Sequence, residues 1–235
     1  MIEALAALAR LGLPVFATDG GSDPSFVDAV ARLPGLDVQT SAAPGMVAQI
    51  RSSLGRAQAS GAPRILYTEP DKLDFFTHHV IAFLEAASRE PGSSIVLASR
   101  STESLATFPA SQQYAETVFN TICGELTGIE TDFLYGPFVV DATLVDVVSD
   151  ELPASIGWGW RPYLFVRGTR AGRRLTAMTG PYSCPSDQRA DSPGERLHRV
   201  RQLTQNLSGL LLACEHAPVR GAADAALAGV DRELL

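Results

Sequence analysis

Two acidic residues stand two positions apart directly after a short apolar run. The run covers residues 65–68, and Glu69 and Asp71 follow it. In an extended segment, side chains two positions apart point to the same side, so both carboxylates can face one divalent cation. Such a cation takes oxygen ligands and can hold a diphosphate at the same time. Solvated turn acids ahead of a helix explain the same pattern, and the residues alone leave both interpretations open.

A third acidic residue follows an earlier apolar run. Residues 13–17 predict a short buried strand, and Asp19 opens the Gly-rich turn behind it. Glycines permit close backbone approach, and a carboxylate at that edge can accept hydrogen bonds from a ribose or a pyrimidine. The alternative is a plain turn in which Asp23 caps the next helix and Pro24 takes its first position.

Strands and helices alternate through the first hundred residues. This alternation predicts an α/β fold with a mostly parallel sheet and helices on both faces. Ligands of such sheets bind beyond the carboxyl ends of the strands. Asp19, Glu69 and Asp71 follow predicted strand ends, so one pocket can collect all three side chains. The strands are expected at 13–17, 36–40, 65–68 and 94–98, and the helices at 2–11, 24–33, 45–60 and 72–88.

The second half of the chain is less regular. A helix is predicted over residues 111–127, where Gly128 ends it, and an amphipathic helix over residues 194–215. Residues 101–109 are expected to form a loop. Residues 170–195 show no hydrophobic period and predict a long flexible segment. The remaining expectations are a strand or loop at 132–138, a short helix at 141–150, a partly buried aromatic stretch at 157–166 and twenty weakly specified residues at the end.

Two arginines are candidates for contacts with an anion. Arg51 projects from the helix at 45–60, where it either meets a diphosphate or is a solvated helix charge. Arg100 follows the strand at 94–98 and stands at the rim of the expected pocket. Contact with an anion and a role without a ligand stay equally open for Arg100.

Two Gly/aromatic turns are candidates for a sugar-binding wall. Gly136 and Pro137 belong to the first turn, and Trp160 and Arg161 to the second. Aromatic rings beside glycines can stack on a sugar, although core packing is the commoner role of a Trp. A polar helix face is expected to meet solvent. Its members are Gln112, Gln113, Glu116 and Asn120.

Composition excludes several classes of protein. The chain has a formal net charge of −7 and no basic stripe, so no nucleic-acid partner is expected. No run of about 18 apolar residues occurs, so no membrane span is expected, and the amino terminus lacks the shape of a signal peptide. The 3 cysteines are odd in number and lack metal-ligand spacing, which indicates reduced thiols in a cytoplasmic protein. Lys72 is the sole lysine and adjoins the acidic pair.

Three segments resemble those of nucleotide-sugar glycosyltransferases with the GT-A fold, closest to family 2 and to glucosyl-3-phosphoglycerate and mannosylglycerate synthases. Residues 15–23, Val-Phe-Ala-Thr-Asp-Gly-Gly-Ser-Asp, are similar to a strand that ends in Asp-Gly-Ser-x-Asp. Residues 65–71 resemble the Asp-x-Asp element. Residues 95–100, Ile-Val-Leu-Ala-Ser-Arg, are similar to a strand of the two synthases that also ends in Ser-Arg. The likeness extends over residues 13–165.

The resemblance implies a single GT-A-like domain over residues 1–235 with a C-terminal helical extension. Residues 1–100 would form the nucleotide-binding part and residues 101–235 the acceptor part. The implied activity is the transfer of a sugar from a UDP- or GDP-linked donor to an unknown acceptor, with Mg²⁺ or Mn²⁺ held by Glu69 and Asp71. The nucleotide would meet Asp19, Arg51, Glu69, Asp71 and Arg100, and the acceptor side would hold Gly136, Pro137, Trp160 and Arg161.

The chain also departs from this family. The family's first strand, with a Pro-x-Tyr-Asn-Glu type of ending that holds the nucleotide, has no counterpart. We therefore expect the central strand of the sheet to be missing, trimmed away or replaced. Trp160 and Arg161 stand where inverting members carry a Glu-Asp catalytic base. A GT-A-like binding module without catalysis and a sugar-phosphate nucleotidyltransferase stay open as alternatives, and so does assembly into a homo-oligomer.

Overall fold

Six strands alternate with helices in the part of the chain that the computed structural model describes, which is residues 1–90, 92–148 and 152–216. The predicted α/β fold is confirmed. The second strand has the predicted bounds, and the first begins two residues later than expected. The strands are β1 (Val15–Asp19), β2 (Leu36–Thr40), β3 (Arg64–Tyr67), β4 (Ser93–Arg100), β5 (Phe138–Asp141) and β6 (Arg174–Gly180).

Local sequence signals mark the ends of several helices. The Asp23 side chain caps the helix that begins at Pro24, because it accepts a hydrogen bond from the Ser25 N–H at 2.8 Å. Gly128 ends another helix in the left-handed conformation. The α-helices are α1 (Ile2–Ala9), α2 (Pro24–Ala31), α3 (Met46–Ala59), α4 (Val80–Ser88), α5 (Thr102–Leu105), α6 (Ala110–Thr127), α7 (Trp160–Arg170) and α8 (Pro193–Glu215). A π-helix (Phe75–His79) and 3₁₀ segments (Ala142–Val148, Ala154–Gly159, Ser186–Gln188) complete the helical structure of the described residues.

The strands form two sheets. β1 and β2 pair in parallel, and the second sheet has the order β3-β5-β4-β6. β5 runs antiparallel to both β3 and β4, while β4 and β6 are parallel. Within this sheet β5 alone runs against its neighbours, so the strand directions are mostly parallel, as predicted.

The two sheets are divided between β1 and β3. Among the described residues, β1 pairs only with β2, and β3 pairs only with β5. α3 spans the division because it packs on both strands. The Ser53 hydroxyl of α3 and the Thr18 hydroxyl of β1 lie 2.7 Å apart and share a hydrogen bond.

β4 lies at the centre of the core, and all of its residues are buried. Its side chains alternate between two apolar clusters. Ile95 and Leu97 pack towards α3, α6 and α7, while Val96 and Ala98 pack towards α1 and α4. Helices therefore cover both faces of the sheet, which accounts for the continuous apolar sequence of this strand.

Two segments that were predicted as irregular form regular structure. Residues 170–195 contain β6, in which only Leu175 is buried, so the sequence lacks an apolar pattern. Pairing with the central strand β4 holds β6 in place, and this long-range contact overrides weak local propensity. Residues 101–109 contain the short helix α5, which Ser101 caps. Residues 132–138, expected to be a strand or a loop, are irregular up to residue 137, and β5 begins at Phe138.

Three further sequence-based expectations concern membrane-spanning helices, the cysteines and the C-terminal residues. Within the described residues, no helix combines the length and the apolarity that crossing a membrane requires. Cys123, Cys184 and Cys214 are all free thiols, in agreement with the prediction. Of the last twenty residues, His216 ends the described part of the chain, and residues 217–235 lie outside it.

Candidate functional site

The segment after β3 places Glu69 in a nearly buried position. Tyr67, the last residue of β3, packs edge-on against the Trp160 ring with the ring centroids 4.8 Å apart. Beyond this fixed strand end, Glu69 Oε1 accepts a hydrogen bond from Arg161 Nη1 at 2.7 Å. Both side chains of this ion pair are largely shielded from solvent. The Glu69 carboxylate is thus positioned by the fold.

Gly136 makes room for the Glu69 carboxylate. Its φ is 127°, a conformation that residues with a side chain rarely adopt. A Cβ at this position would also collide with Glu69 Oε2. This oxygen is buried and has no hydrogen-bond partner in the described part of the chain. An unpaired buried carboxylate oxygen is costly, so Oε2 is an atom that a cation or a donor group would stabilise.

Asp71 lies on the more open side of the same site. Its side chain is about half exposed, and Lys72 Nζ is 3.5 Å from Asp71 Oδ1. The Lys72 ammonium also lies 5.5 Å from the centroid of the Tyr135 ring. The sole lysine of the chain therefore stands beside the acidic pair in three dimensions, where it balances part of the negative charge.

Glu69 and Asp71 line one cavity of about 360 Å³, which we call the charged pocket. The two acids come from the segment after β3, and α8 contributes Glu195, His198 and Arg199. Trp158 also lines the cavity, with the Arg161 guanidinium 5.1 Å from its ring centroid. The groups that matter for the chemistry are Glu69, Asp71, Lys72, Arg161, His198 and Arg199.

Two glycines allow α8 to close one side of the charged pocket. A Cβ on Gly209 would collide with the Gly159 backbone, and a Cβ on Gly159 would collide with the backbone of Gly209 and Gln205. The Trp158 N–H donates a hydrogen bond to Gln205 Oε1 at 3.2 Å across the same contact. This close approach fixes α8 against the turn that carries Trp158.

The wall of the charged pocket contains a buried cluster around Arg100. Its guanidinium donates to Asp132 Oδ2 at 2.6 Å and also to Glu116. Gln112 donates to Glu116 Oε1 at 2.9 Å, and Asn120 donates to Asp132 Oδ1 at 3.2 Å. We call these five residues the arginine cluster. The polar face of α6 therefore packs inward through Gln112, Glu116 and Asn120, and the expectation that it meets solvent is corrected for these residues.

Burial and the Arg100 charge shift the pKa values of the two acids in the arginine cluster in opposite directions. Burial raises the pKa of Glu116, and the attraction of Arg100 offsets this only in part. Burial would also raise the pKa of Asp132, but the Arg100 charge and its hydrogen bonds hold that pKa below its ordinary value. Arg100 lines the charged pocket, and the carboxylates of Glu116 and Asp132 engage its guanidinium there.

Asp19 lies at the carboxyl end of β1, where its carboxylate accepts hydrogen bonds from the turn that follows it. It accepts hydrogen bonds from the N–H groups of Gly21 and Ser22 at 2.8 and 3.0 Å. Hydrogen bonds from Ser22 and from the turn backbone hold the pKa of Asp19 below its ordinary value. Asp19 is absent from the lining of the charged pocket.

Asp19 instead borders an apolar cleft of about 520 Å³ between β1 and β3, which we call the strand groove. Glu69 and Trp158 line both the strand groove and the charged pocket. The two cavities therefore meet at these two residues. The expectation that one pocket collects all three acids is corrected: two adjoining cavities share Glu69, with Asp19 on one side and Asp71 on the other.

Three other predicted site residues have structural roles. Arg51 donates to the carbonyl oxygens of Val148 and Leu152 at 3.2 and 3.0 Å, so it ties α3 to the segment after β5. The Pro137 carbonyl accepts a hydrogen bond from the Ala98 N–H at 3.0 Å. Trp160 is completely buried in the core. None of these three side chains lines either cavity.

The two acids of the charged pocket suit a divalent cation that completes its ligand set from elsewhere. Among the described residues, no group of three or more His, Cys, Asp and Glu side chains converges as a metal site. A hard cation such as Mg²⁺ is commonly held by one or two carboxylates together with phosphate oxygens and water. The unpaired Glu69 Oε2 and the half-exposed Asp71 fit that description.

The sequence did not show that several residues of the charged pocket lie together. Trp158 shares a turn with Trp160, and only the three-dimensional fold shows which ring faces the cavity. His198 and Arg199 stand on α8, more than a hundred residues after the acidic pair. The charge density of α8 gave no sign that this face turns towards the sheet.

The sequence itself has no match among family models, and no curated protein matches it either. Solved structures do match. Glucosyl-3-phosphoglycerate synthase from Mycobacterium tuberculosis is similar with a TM-score of 0.60 and 16% identity, covering 91% of this chain and 75% of that chain. A mycobacterial protein matches with a TM-score of 0.64 and 16% identity over 91% and 70% of the two chains. The synthase in complex with Mg²⁺ and uridine diphosphate matches with a TM-score of 0.54, 15% identity and coverage of 91% and 74%. The chain thus has the predicted GT-A fold.

Proposed function

We propose that this protein transfers a sugar from a nucleoside-diphosphate sugar to a small acceptor, with a divalent cation as cofactor. The observation that carries the proposal is the placement of Glu69 and Asp71. Both follow β3 into the charged pocket, and Glu69 keeps one carboxylate oxygen unpaired in a buried position. Such a pair of acids on this fold suits a cation that grips a diphosphate.

The solved neighbours support this chemistry. The mycobacterial synthase has been crystallised with uridine diphosphate and Mg²⁺. It has also been crystallised with Mn²⁺, uridine-diphosphate-glucose and phosphoglyceric acid, and that structure matches with a TM-score of 0.51. The same classes of ligand are therefore the first to test with this chain.

Glu69 and Asp71 would hold Mg²⁺ or Mn²⁺ in the charged pocket. When bound, the cation supplies Lewis-acid stabilisation of the leaving diphosphate. Arg161 positions the Glu69 carboxylate through their ion pair, so one oxygen stays fixed while the other remains available. Lys72 adds positive charge beside Asp71 and favours the binding of an anionic donor.

Asp19 would bind the nucleoside on the strand-groove side of Glu69. Its turn presents backbone N–H groups and a carboxylate at the carboxyl end of β1, where ligands of α/β sheets bind. The strand groove and the charged pocket join at Glu69 and Trp158, so a donor that spans the junction would place its base near Asp19 and its diphosphate near Asp71.

We further infer that the acceptor carries an anionic group. Across the charged pocket from the acidic pair, α8 presents His198 and Arg199, and Arg199 is only partly exposed. A cation in a sheltered pocket favours a carboxylate or phosphate. The neighbour's complex with phosphoglyceric acid makes that compound the first acceptor to test.

The test is the release of nucleoside diphosphate from UDP- and GDP-linked sugars, with and without phosphoglyceric acid, in the presence of Mn²⁺. We expect turnover that needs the metal and rises with the acceptor. Glu69→Gln should lose on the order of a thousandfold in rate, because it weakens the hold on the metal. Glu85→Gln, on the exposed face of α4, is the matched control and should keep full activity.

Two outcomes would contradict the proposal. Absence of turnover and of nucleotide binding with every donor would favour a binding module. Pyrophosphate release from a nucleoside triphosphate and a sugar phosphate would favour a nucleotidyltransferase.

A further inference from the structure

Three residues that line the charged pocket each have a buried side-chain atom without a hydrogen-bond partner in the described part of the chain. The atoms are Glu69 Oε2, Arg161 Nε and Asn206 Oδ1. Glu69 and Arg161 carry opposite charges and pair with each other through other atoms of their side chains. Asn206 is the neutral member of the three, and neither the cation nor an anionic acceptor gives its amide oxygen a role.

Asn206 occupies a position where the pattern of α8 calls for an apolar residue. Leu203, three positions earlier, packs against the core, and Leu210, four positions later, is buried in it. Residues at these spacings share one face of a helix. Asn206 is 3% exposed on that same face. Asn is a weaker helix former than Leu, and an unpaired amide is costly to bury, so the fold alone does not account for this side chain.

Close contacts fix α8 on both sides of Asn206. The side chain of the preceding residue, Gln205, accepts a hydrogen bond from the Trp158 N–H at 3.2 Å. Three residues after Asn206, Gly209 approaches Gly159 so closely that a Cβ on either residue would collide with the other backbone. The helix therefore has no room to shift at this point. An amide held in place keeps the full cost of a missing partner, which makes it selective for ligands that supply one.

The unpaired atom limits the ligand group that Asn206 can bind. An amide oxygen only accepts hydrogen bonds, so phosphate and carboxylate oxygens, which also only accept, do not pair with it. A hydroxyl group donates to the oxygen. It also accepts, so it would satisfy the amide NH₂ if the side chain turned over. The matching group is therefore a hydroxyl on a neutral part of the ligand, rather than the diphosphate or the anionic group of the acceptor.

The place of Asn206 in the charged pocket indicates which part of the ligand this is. Asn206 lies two turns after Arg199 on α8, a distance of about 10 Å along the helix axis. Arg199 marks the proposed acceptor side. Asn206 instead adjoins the contact with Trp158, which borders Glu69 where the two cavities meet. The sugar that is transferred has to lie between the diphosphate that it leaves and the acceptor that it joins, and Asn206 stands between those two regions.

We propose that Asn206 selects the donor sugar by accepting a hydrogen bond from one of its hydroxyl groups. The inference rests on the proposed function, because it takes the ligand of the charged pocket to be a sugar nucleotide. It makes Asn206 a specificity-determining residue. A donor that lacks the matching hydroxyl leaves the amide oxygen unpaired in a buried place, and we expect it to bind about thirtyfold more weakly.

The test is titration calorimetry of the full chain in the presence of Mn²⁺. The ligands are UDP, UDP-glucose and the forms of UDP-glucose that lack one sugar hydroxyl each. In the wild type, one deoxy form should bind about thirtyfold more weakly than UDP-glucose. In Asn206→Leu, UDP-glucose should lose about thirtyfold in affinity, and the same deoxy form should bind at least as tightly as UDP-glucose. The affinity for UDP should stay within about twofold of the wild type, since UDP lacks the sugar.

Two further variants complete the experiment. Thr204→Val is the matched control, because it also replaces a polar group of α8 by an apolar one of similar shape, but on the exposed face of the helix. It should leave the affinities for UDP and for every sugar nucleotide unchanged. Asn206→Ala removes the amide without adding bulk beside the close contact of α8. It carries the same expectations as Asn206→Leu if the leucine variant does not fold.

Three outcomes would overturn the assignment of Asn206. Equal weakening of UDP and UDP-glucose in the variants would show that the residue acts only through the fold. A deoxy form that keeps its full penalty in the variants would show that another residue binds that hydroxyl. Unchanged affinity for UDP-glucose together with weaker binding of phosphoglyceric acid would place Asn206 on the acceptor side.

Failure of this inference differs from failure of the proposed function. A wild type that binds UDP with Mn²⁺, but binds UDP-glucose and all its deoxy forms equally, would overturn the role of Asn206 alone. A wild type that binds neither UDP nor any sugar nucleotide would contradict the proposed function, and the role of Asn206 would be overturned with it.

Discussion

The charged pocket and the strand groove adjoin at Glu69 and Trp158, yet they differ in the kind of polar group that lacks a partner among the described residues. Around the charged pocket, Arg161 pairs with Glu69 and Arg100 pairs with Glu116 and Asp132, and the unpaired groups are single side-chain atoms such as Glu69 Oε2. In the strand groove the side chains are mostly apolar, and the unsatisfied groups belong to the backbone of β1 and β3.

The charged pocket therefore lacks partners at a few side-chain atoms, whereas the strand groove lacks them along its main chain. Paired charges make the walls of the charged pocket rigid, because removing any one partner leaves another buried and uncompensated. Unpaired strand edges make the groove a receptive surface. Substitutions in the wall of the charged pocket should therefore act through stability. Substitutions in the strand groove should have small effects until a ligand is added.

The largest effect is expected from Arg100→Ala. The substitution leaves Glu116 and Asp132 buried without their cation and should cost about 3–5 kcal/mol in the free energy of unfolding. Urea denaturation followed by circular dichroism measures this. Arg199→Ala, on the partly exposed α8 side of the same pocket, is the control and should change stability by less than about 0.5 kcal/mol. Similar costs for the two variants would show that the wall is not held by its buried charges.

Asp132→Asn should lower the free energy of unfolding by about 2–3 kcal/mol near neutral pH, and this loss should depend on pH. The folded pKa of Asp132 lies below its ordinary value, so its stabilisation is present above that value and is lost as the pH falls through the folded pKa. Stability of the wild type and the variant should therefore converge below about pH 4.

The Glu116→Gln variant is the control of opposite sign for Asp132→Asn. The folded pKa of Glu116 is raised, so its contribution is lost as the pH rises. Thermal unfolding across a pH series measures both variants, and a constant gap between wild type and Asp132→Asn would refute the assigned titration.

Gly136→Ala should lower the free energy of unfolding by about 2–3 kcal/mol. The added Cβ is strained at a φ of 127° and meets the Glu69 carboxylate. Gly12→Ala is the matched control and should cost about 1 kcal/mol, because Gly12 also has positive φ but a Cβ there would extend into open space. Equal costs in chemical denaturation would mean that Gly136 matters only for its backbone and does not support Glu69.

The smallest effect is expected from Ala57→Leu in the strand groove. Ala57 is only partly buried and lines open space, so the larger side chain should cost less than about 1 kcal/mol. The control is Ala87→Leu on α4, where the residue is 1% exposed and overpacking should cost about 1–3 kcal/mol. A cost at position 57 as large as that at position 87 would show that the groove is closed.

Local sequence was sufficient for most of the fold but not for β6. Apolar runs, caps and glycines located the early strands and helices, because these features act within a few residues of one another. β6 has one buried side chain and depends on pairing with β4, more than seventy residues earlier in the chain. A period in the sequence does not reveal a strand whose stability comes from its neighbour.

The candidate site was predictable only where it follows a strand end. Glu69 and Asp71 were placed correctly at one cavity because the exit of β3 fixes them. Arg51 and Trp160 were not, since a charge on a helix or a ring in a Gly-rich turn has several environments open to it. The inward packing of Gln112 and Glu116 was equally hidden, because their partner Arg100 is supplied by a distant strand.

The central claim is that Glu69 and Asp71 share a divalent cation that binds a diphosphate. Titration calorimetry with uridine diphosphate and Mn²⁺ tests it most directly, in the wild type and in Asp71→Ala. We expect metal-dependent binding in the wild type and a loss of several kcal/mol in binding free energy in the variant. Equal affinity in the two proteins, or binding that does not need Mn²⁺, would contradict the account.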